Sequence, residues 1–226
     1  VSSITKNDPR TVFGWAMYDW ANSAYITTFA AIVAAFFTAV IVPDDGYNGF
    51  SGETLWSAVI SVGAFILFLL MPVLGAVADY ASAKKSFLRF FAWFGAAMTV
   101  TLPLVPAGAV PTFLLVVIFG QIGFVAANVF YDGFLPDIST DETIDRVSSK
   151  GFAFGYVGGG LYVLLALALI LLSGDEGMTG LSEETASRIG IAGAGLWWFG
   201  FSIFSLRRLP EETASDELPE RFRDGS

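Results

Sequence analysis

Long apolar runs alternate with short polar ones along the whole chain, six times over. The runs cover about 13–42, 54–78, 87–105, 112–135, 146–172 and 183–206, and a helix needs roughly 20 apolar residues to cross a bilayer. Breakers punctuate them where helices should stop or bend. Pro43-Asp-Asp-Gly ends the first run, and Pro72 is expected to kink the second. Pro103 and Pro106 close the third, while the fourth begins just after Pro111 and ends before Pro136. Ser182-Glu-Glu-Thr has the form of a helix N-cap for the sixth. Ala, Gly, Ser and Thr recur inside the runs, as helices that pack on one another in lipid require. The pattern predicts an all-α membrane protein with six transmembrane helices over residues 1–206. A polar acidic tail, 207–226, follows them.

Composition agrees: 54% of residues are hydrophobic and only 15% are charged. The sequence has no cysteine, which removes disulfides, thiol chemistry and thiolate metal sites. It has no histidine, the commonest metal ligand and general base. The N-terminus lacks the layout of a cleaved signal peptide. Alternating six helices places eleven of the twelve Lys and Arg residues at one side, with only Arg188 opposite. By the positive-inside rule both termini are expected in the cytoplasm, and the membrane is expected to be that of the cell. The net charge of −9 comes from acids in the loops and in the tail Glu211 to Asp224. Two readings of it stand: a salt-adapted surface, or simply an acidic cytoplasmic tail.

The stretch Gly75-Ala-Val-Ala-Asp79-Tyr-Ala-Ser-Ala-Lys84-Lys85 resembles the loop between helices two and three of the major facilitator superfamily. Gly75, Ala78, Asp79 and Lys84 match that pattern, and Tyr80, Ser82 and Ala83 depart from it. Three further blocks resemble one branch of the superfamily, the autophagy-related vacuolar effluxers. They are Tyr18 to Tyr25, Asn128 to Asp137 and Arg146 to Gly159. The resemblance implies the N-terminal half of a twelve-helix fold, made of two three-helix repeats. It implies a secondary active transporter that works by alternating access on a small solute, with amino acids as the branch's described cargo. The implied partners are the lipid bilayer, the solute, a coupling ion (proton or sodium), and either a missing C-terminal half or a second copy. The tail then reads as the start of the central loop between halves. In the superfamily the acid matching Asp79 is thought to hold the second half and favour the outward-facing state. Two departures bear on coupling: helix four has no arginine between Arg89 and Arg146, and Tyr156 stands where an antiporter pattern has proline.

Costly polar groups mark the candidate site. Asp19, Asn22 and Ser23 share one helical face, flanked by Tyr18 and Tyr25. A carboxylate at membrane depth costs roughly 2.5–3.5 kcal/mol on insertion scales, so Asp19 either faces a cavity or anchors at the interface beside Trp15 and Trp20. In helix four, Gln121, Asn128, Tyr131 and Asp132 either line a vestibule or end the helix. Gly75, Asp79, Lys84 and Lys85 form a gating loop or a plain turn held inside by its lysines. Gly155, Tyr156 and Gly159 form a close-packing seam that could also yield during rocking. An enzyme, an intramembrane aspartyl protease first, is a remote alternative that lacks parts. An intramembrane aspartyl protease needs a Gly-x-Gly-Asp motif, absent here, and a serine protease needs a base such as histidine. A scaffold or sensor is the remaining alternative, and it predicts no water-filled cavity. No basic patch suits nucleic acid, no Gly-rich lysine loop suits nucleotide, and no acid cluster suits a tight metal site. No cofactor is expected.

Overall fold

The computed structural model describes residues 5–80, 83–175 and 177–211, the side chains of Asp79 and Tyr80 excepted. All six apolar runs are helices long and apolar enough to cross a membrane, and there is no strand among the described residues. Helix α1, Pro9–Ile41, starts at Asp8, whose Oδ2 accepts from the Thr11 amide at 2.9 Å and from Thr11 Oγ1 at 2.8 Å. Pro9 opens the helix, where its missing N–H costs nothing. Farther along, α1 loosens into two π-helical turns, Phe29–Val33 and Phe37–Ile41. Helix α2, Gly52–Tyr80, is continuous through Pro72.

Helix α3, Lys84–Thr101, tightens into a 3-10 turn, Leu102–Leu104, at Pro103. Helix α4 covers Val110–Asp132 with Pro111 in its first turn. It stops earlier than the sequence suggests, because Pro136 opens a separate short turn, Leu135–Ile138, instead of closing the long helix. Helix α5 is Ile144–Leu171 and α6 is Glu183–Leu206. Ser182 caps α6 through its hydroxyl, which accepts from the Thr185 amide at 3.1 Å.

The packing has an internal symmetry. Helix α1 lies against α5 and α6, α4 lies against α2 and α3, and α3 lies against α6. Exchanging α1 with α4, α2 with α5 and α3 with α6 maps these contacts onto one another, while the contact of α5 with α6 has no counterpart of its size between α2 and α3. That is the arrangement of two three-helix repeats that the resemblance implies. Glycines make the crossings close. A Cβ on Gly123 of α4 would fall 2.6 Å from the Gly95 Cα of α3, and one on Gly158 of α5 would fall 2.6 Å from the Trp20 carbonyl of α1. Without a hydrophobic drive between helices in lipid, such contacts carry the association.

Hydrogen bonds tie one end of the bundle together, and most of the described cations sit there. The Asn7 amide donates to the Ile138 carbonyl at 2.7 Å, and Thr143 Oγ1 donates to Asn7 Oδ1 at 2.7 Å. At the opposite end Arg188 donates to the Pro103 and Val105 carbonyls that close α3.

Candidate functional site

Between α1, α4 and α5 lies an open cavity of about 470 Å³. Helix α1 turns Trp15, Asp19, Asn22, Ser23 and Ile26 toward it, a face set by helical spacing. Helix α4 contributes Phe124, Asn128, Tyr131 and Asp132, and α5 contributes Ser148, Phe152, Gly155 and Tyr156. No Lys or Arg is among these lining residues.

Two direct polar links cross from α1 to α4. Asn22, only 2% exposed, donates its Nδ2 to Asn128 Oδ1 at 2.6 Å. Beside it the Trp15 indole stacks on Tyr131 at 4.5 Å between ring centroids and donates Nε1–H to the Tyr131 carbonyl at 3.1 Å. Tyr18 covers the Tyr131 ring at 4.9 Å. The Tyr131 hydroxyl is buried and has no hydrogen-bond partner among the described residues.

The two carboxylates differ in setting. Asp19 is half-buried against α5, where Gly155 leaves it room: a Cβ there would lie 3.0 Å from Asp19 Oδ2 and 2.9 Å from Ser23 Oγ. Asp132, at the last residue of α4, is exposed to the cavity. Neither carboxylate has a hydrogen-bond or ion-pair partner among the described residues. One turn farther along α1, Thr27 Oγ1 donates to the Gly159 carbonyl at 3.1 Å and fixes the seam.

Of the residues singled out from sequence, Asp19, Asn22, Ser23, Asn128, Asp132, Gly155 and Tyr156 come together here. Gly159 lies behind them, its missing Cβ filled by Ser23 and Thr27. Tyr25 instead turns into the core, its ring against Phe124 and Trp198. Gln121 packs on Gly63 of α2, away from the cavity. The lysines of the α2–α3 turn act as staples. Lys84 Nζ contacts Asp137 Oδ2 at 2.7 Å and the Gly133 carbonyl at 3.1 Å. Lys85 Nζ reaches the Leu209 carbonyl and Glu211 Oε1, each at 2.7 Å. Gly75 has no heavy atom near enough to exclude a side chain. The Asp79 side chain, Ser82 and the tail past Glu211 lie outside the described residues. Trp15, Ser148 and Phe152 were not legible as site residues. Four-residue spacing was the available signal: Trp15 lies four residues before Asp19, and Ser148 and Phe152 lead at the same interval to Tyr156.

With this geometry in hand, comparison with known proteins is decisive. Residues 51–222 match the family described as "Vacuole effluxer Atg22 like". The chain belongs to that family. It is also 35% identical over 189 residues to the "Uncharacterized MFS-type transporter YxiO" of Bacillus subtilis (strain 168). That alignment takes in 84% of this chain and 44% of YxiO, so the chain spans less than half the relative's length. No solved structure matches. Both names are those of transporters and not of enzymes, and this Atg22-like chain is an integral, multi-pass membrane protein.

Proposed function

We propose that the chain is the N-terminal half of a secondary transporter and that its solute passes through the cavity between α1, α4 and α5. One observation carries the reading: unpaired carboxylates on two membrane-spanning helices face one open space. A carboxylate costs up to roughly 2.5–3.5 kcal/mol at the centre of a membrane helix and less toward an end such as that of Asp132, and a scaffold has no use for that cost. A transporter does, because the groups meet a solute or an ion near the repeat interface. A second six-helix half, or a second copy, closes the cavity from the far side and rocks against this one. The end holding Lys84 and Lys85 faces the cytoplasm, the membrane is that of the cell, and the cargo is amino acids, coupled to protons or sodium. Asp79 biases the equilibrium between outward and inward states from the turn between α2 and α3.

The test is uptake into liposomes by the protein expressed from its complete gene. Labelled amino acids should accumulate when a proton or sodium gradient is imposed and should stop accumulating when it is collapsed. Well-folded protein that moves none of them under either gradient would refute the reading.

A further inference from the structure

Resting on the transport reading, we propose that this half of the cavity recognises the ammonium end of its solute, between Asp19 of α1 and Asp132 of α4. Charge is the first support. Both acids line the cavity, and no Lys or Arg does among the described residues. A carboxylate or phosphate would be repelled here, so any anionic end of the cargo must be met elsewhere. Tyr131 supplies the second, independent support. It is 4% exposed, it lines the cavity, and its hydroxyl has no partner among the described residues. Buried phenols are nearly always hydrogen-bonded, and this one lies in the cavity wall beside Gly151 of α5 with its acceptor unused.

The walls favour an organic cation over a metal ion. Phe152 and Tyr156 line the cavity and stand 63% and 83% exposed on α5, while the stacked Trp15–Tyr131 pair behind them is buried. Aromatic faces attract ammonium groups, whereas hard metal ions need several oxygen ligands. No group of three acids, histidines or cysteines able to hold a metal occurs among the described residues. The Asn22–Asn128 bond holds α1 to α4, and so holds the two acid-bearing helices in register.

The experiment compares three solutes with one carbon skeleton: isoamylamine, isoamyl alcohol and isovalerate. Binding to the protein from its complete gene is read in detergent at neutral pH as quenching of tryptophan fluorescence. Isoamylamine should bind at least about tenfold tighter than the alcohol, about 1.4 kcal/mol, and isovalerate should be weakest. Asp132→Asn and Asp19→Asn should each weaken the amine at least about tenfold without affecting the alcohol, and Tyr131→Phe should weaken it by less. Asp44→Asn, in an exposed loop outside the cavity, should change nothing. Three outcomes would overturn the proposal: equal binding of amine and alcohol, no amine binding, or sodium alone reproducing the quench. No gradient or flux enters this readout. Amine recognition can therefore fail while transport stands, and protein that binds the amine but moves no solute would sink the transport reading alone.

Discussion

Asp19→Asn should leave the protein inserted and as thermally stable as its parent, and should cut transport at least about tenfold, about 1.4 kcal/mol on the rate. The amide keeps the shape of the side chain in the space that Gly155 provides, so no overlap is created. It removes one of the two charges facing the cavity, and nothing among the described residues is left unpaired, because the carboxylate has no protein partner to lose. Insertion should become easier, since an amide is less costly than a carboxylate at membrane depth. The measurement is initial uptake rate per folded protein in liposomes. A rate within about twofold of the parent, roughly 0.4 kcal/mol, would return Asp19 to the role of an interfacial anchor.

Gly158→Ala and Gly160→Ala, two residues apart on α5, should act with opposite sign. A Cβ on Gly158 would fall 2.6 Å from the Trp20 carbonyl and 2.8 Å from the Trp20 ring. The carbonyl belongs to the α1 backbone and cannot rotate away, so α1 and α5 must separate. Overpacking of this kind costs typically about 1–3 kcal/mol. For a chain of this size the melting temperature should fall by about 2–4 °C for each kcal/mol lost. The damage should extend to transport, because α1 and α5 form two walls of the cavity. A Cβ on Gly160 meets nothing within 4 Å, so there alanine gains helix propensity, up to about 1 kcal/mol, at no steric cost. Parallel melting curves in detergent decide the matter. Equal shifts for the two variants would mean that the α1–α5 crossing is not set by glycine.

The helices were legible because each rests on a local signal. Length and hydropathy mark the spans, and Pro43, Pro106 and the Ser182 cap mark their limits. Half of the site was legible for the same reason: Asp19, Asn22 and Ser23 fall on one face of α1 by spacing, and Asn128 and Asp132 on one face of α4. Tyr25 misled because adjacency in sequence is not adjacency around a helix. At 3.6 residues per turn it points about 120° away from Asp19, into the core. Gln121 shares a face with Asn128 but sits about 10 Å farther along α4, beyond the cavity and against α2. The Asn22–Asn128 bond joins residues far apart in the chain and exists only because α1 crosses α4 there. The π-helical turns of α1 lie in a stretch that is apolar apart from Thr38, and its hydropathy does not mark them, although such turns often flank functional sites.

The central claim is that one cavity opens alternately to the two sides of the membrane. Ile26 tests it most directly, since it lines that cavity and is 42% exposed. This chain has no native cysteine, so Ile26→Cys can be the single thiol in a protein whose remaining half has been cleared of cysteine. A membrane-impermeant maleimide is then applied from one side of sealed, oriented vesicles, and in a separate sample from the other. Alternating access predicts modification from both sides, each slowed by a transported solute. Modification from one side only, at a rate no solute changes, would contradict it.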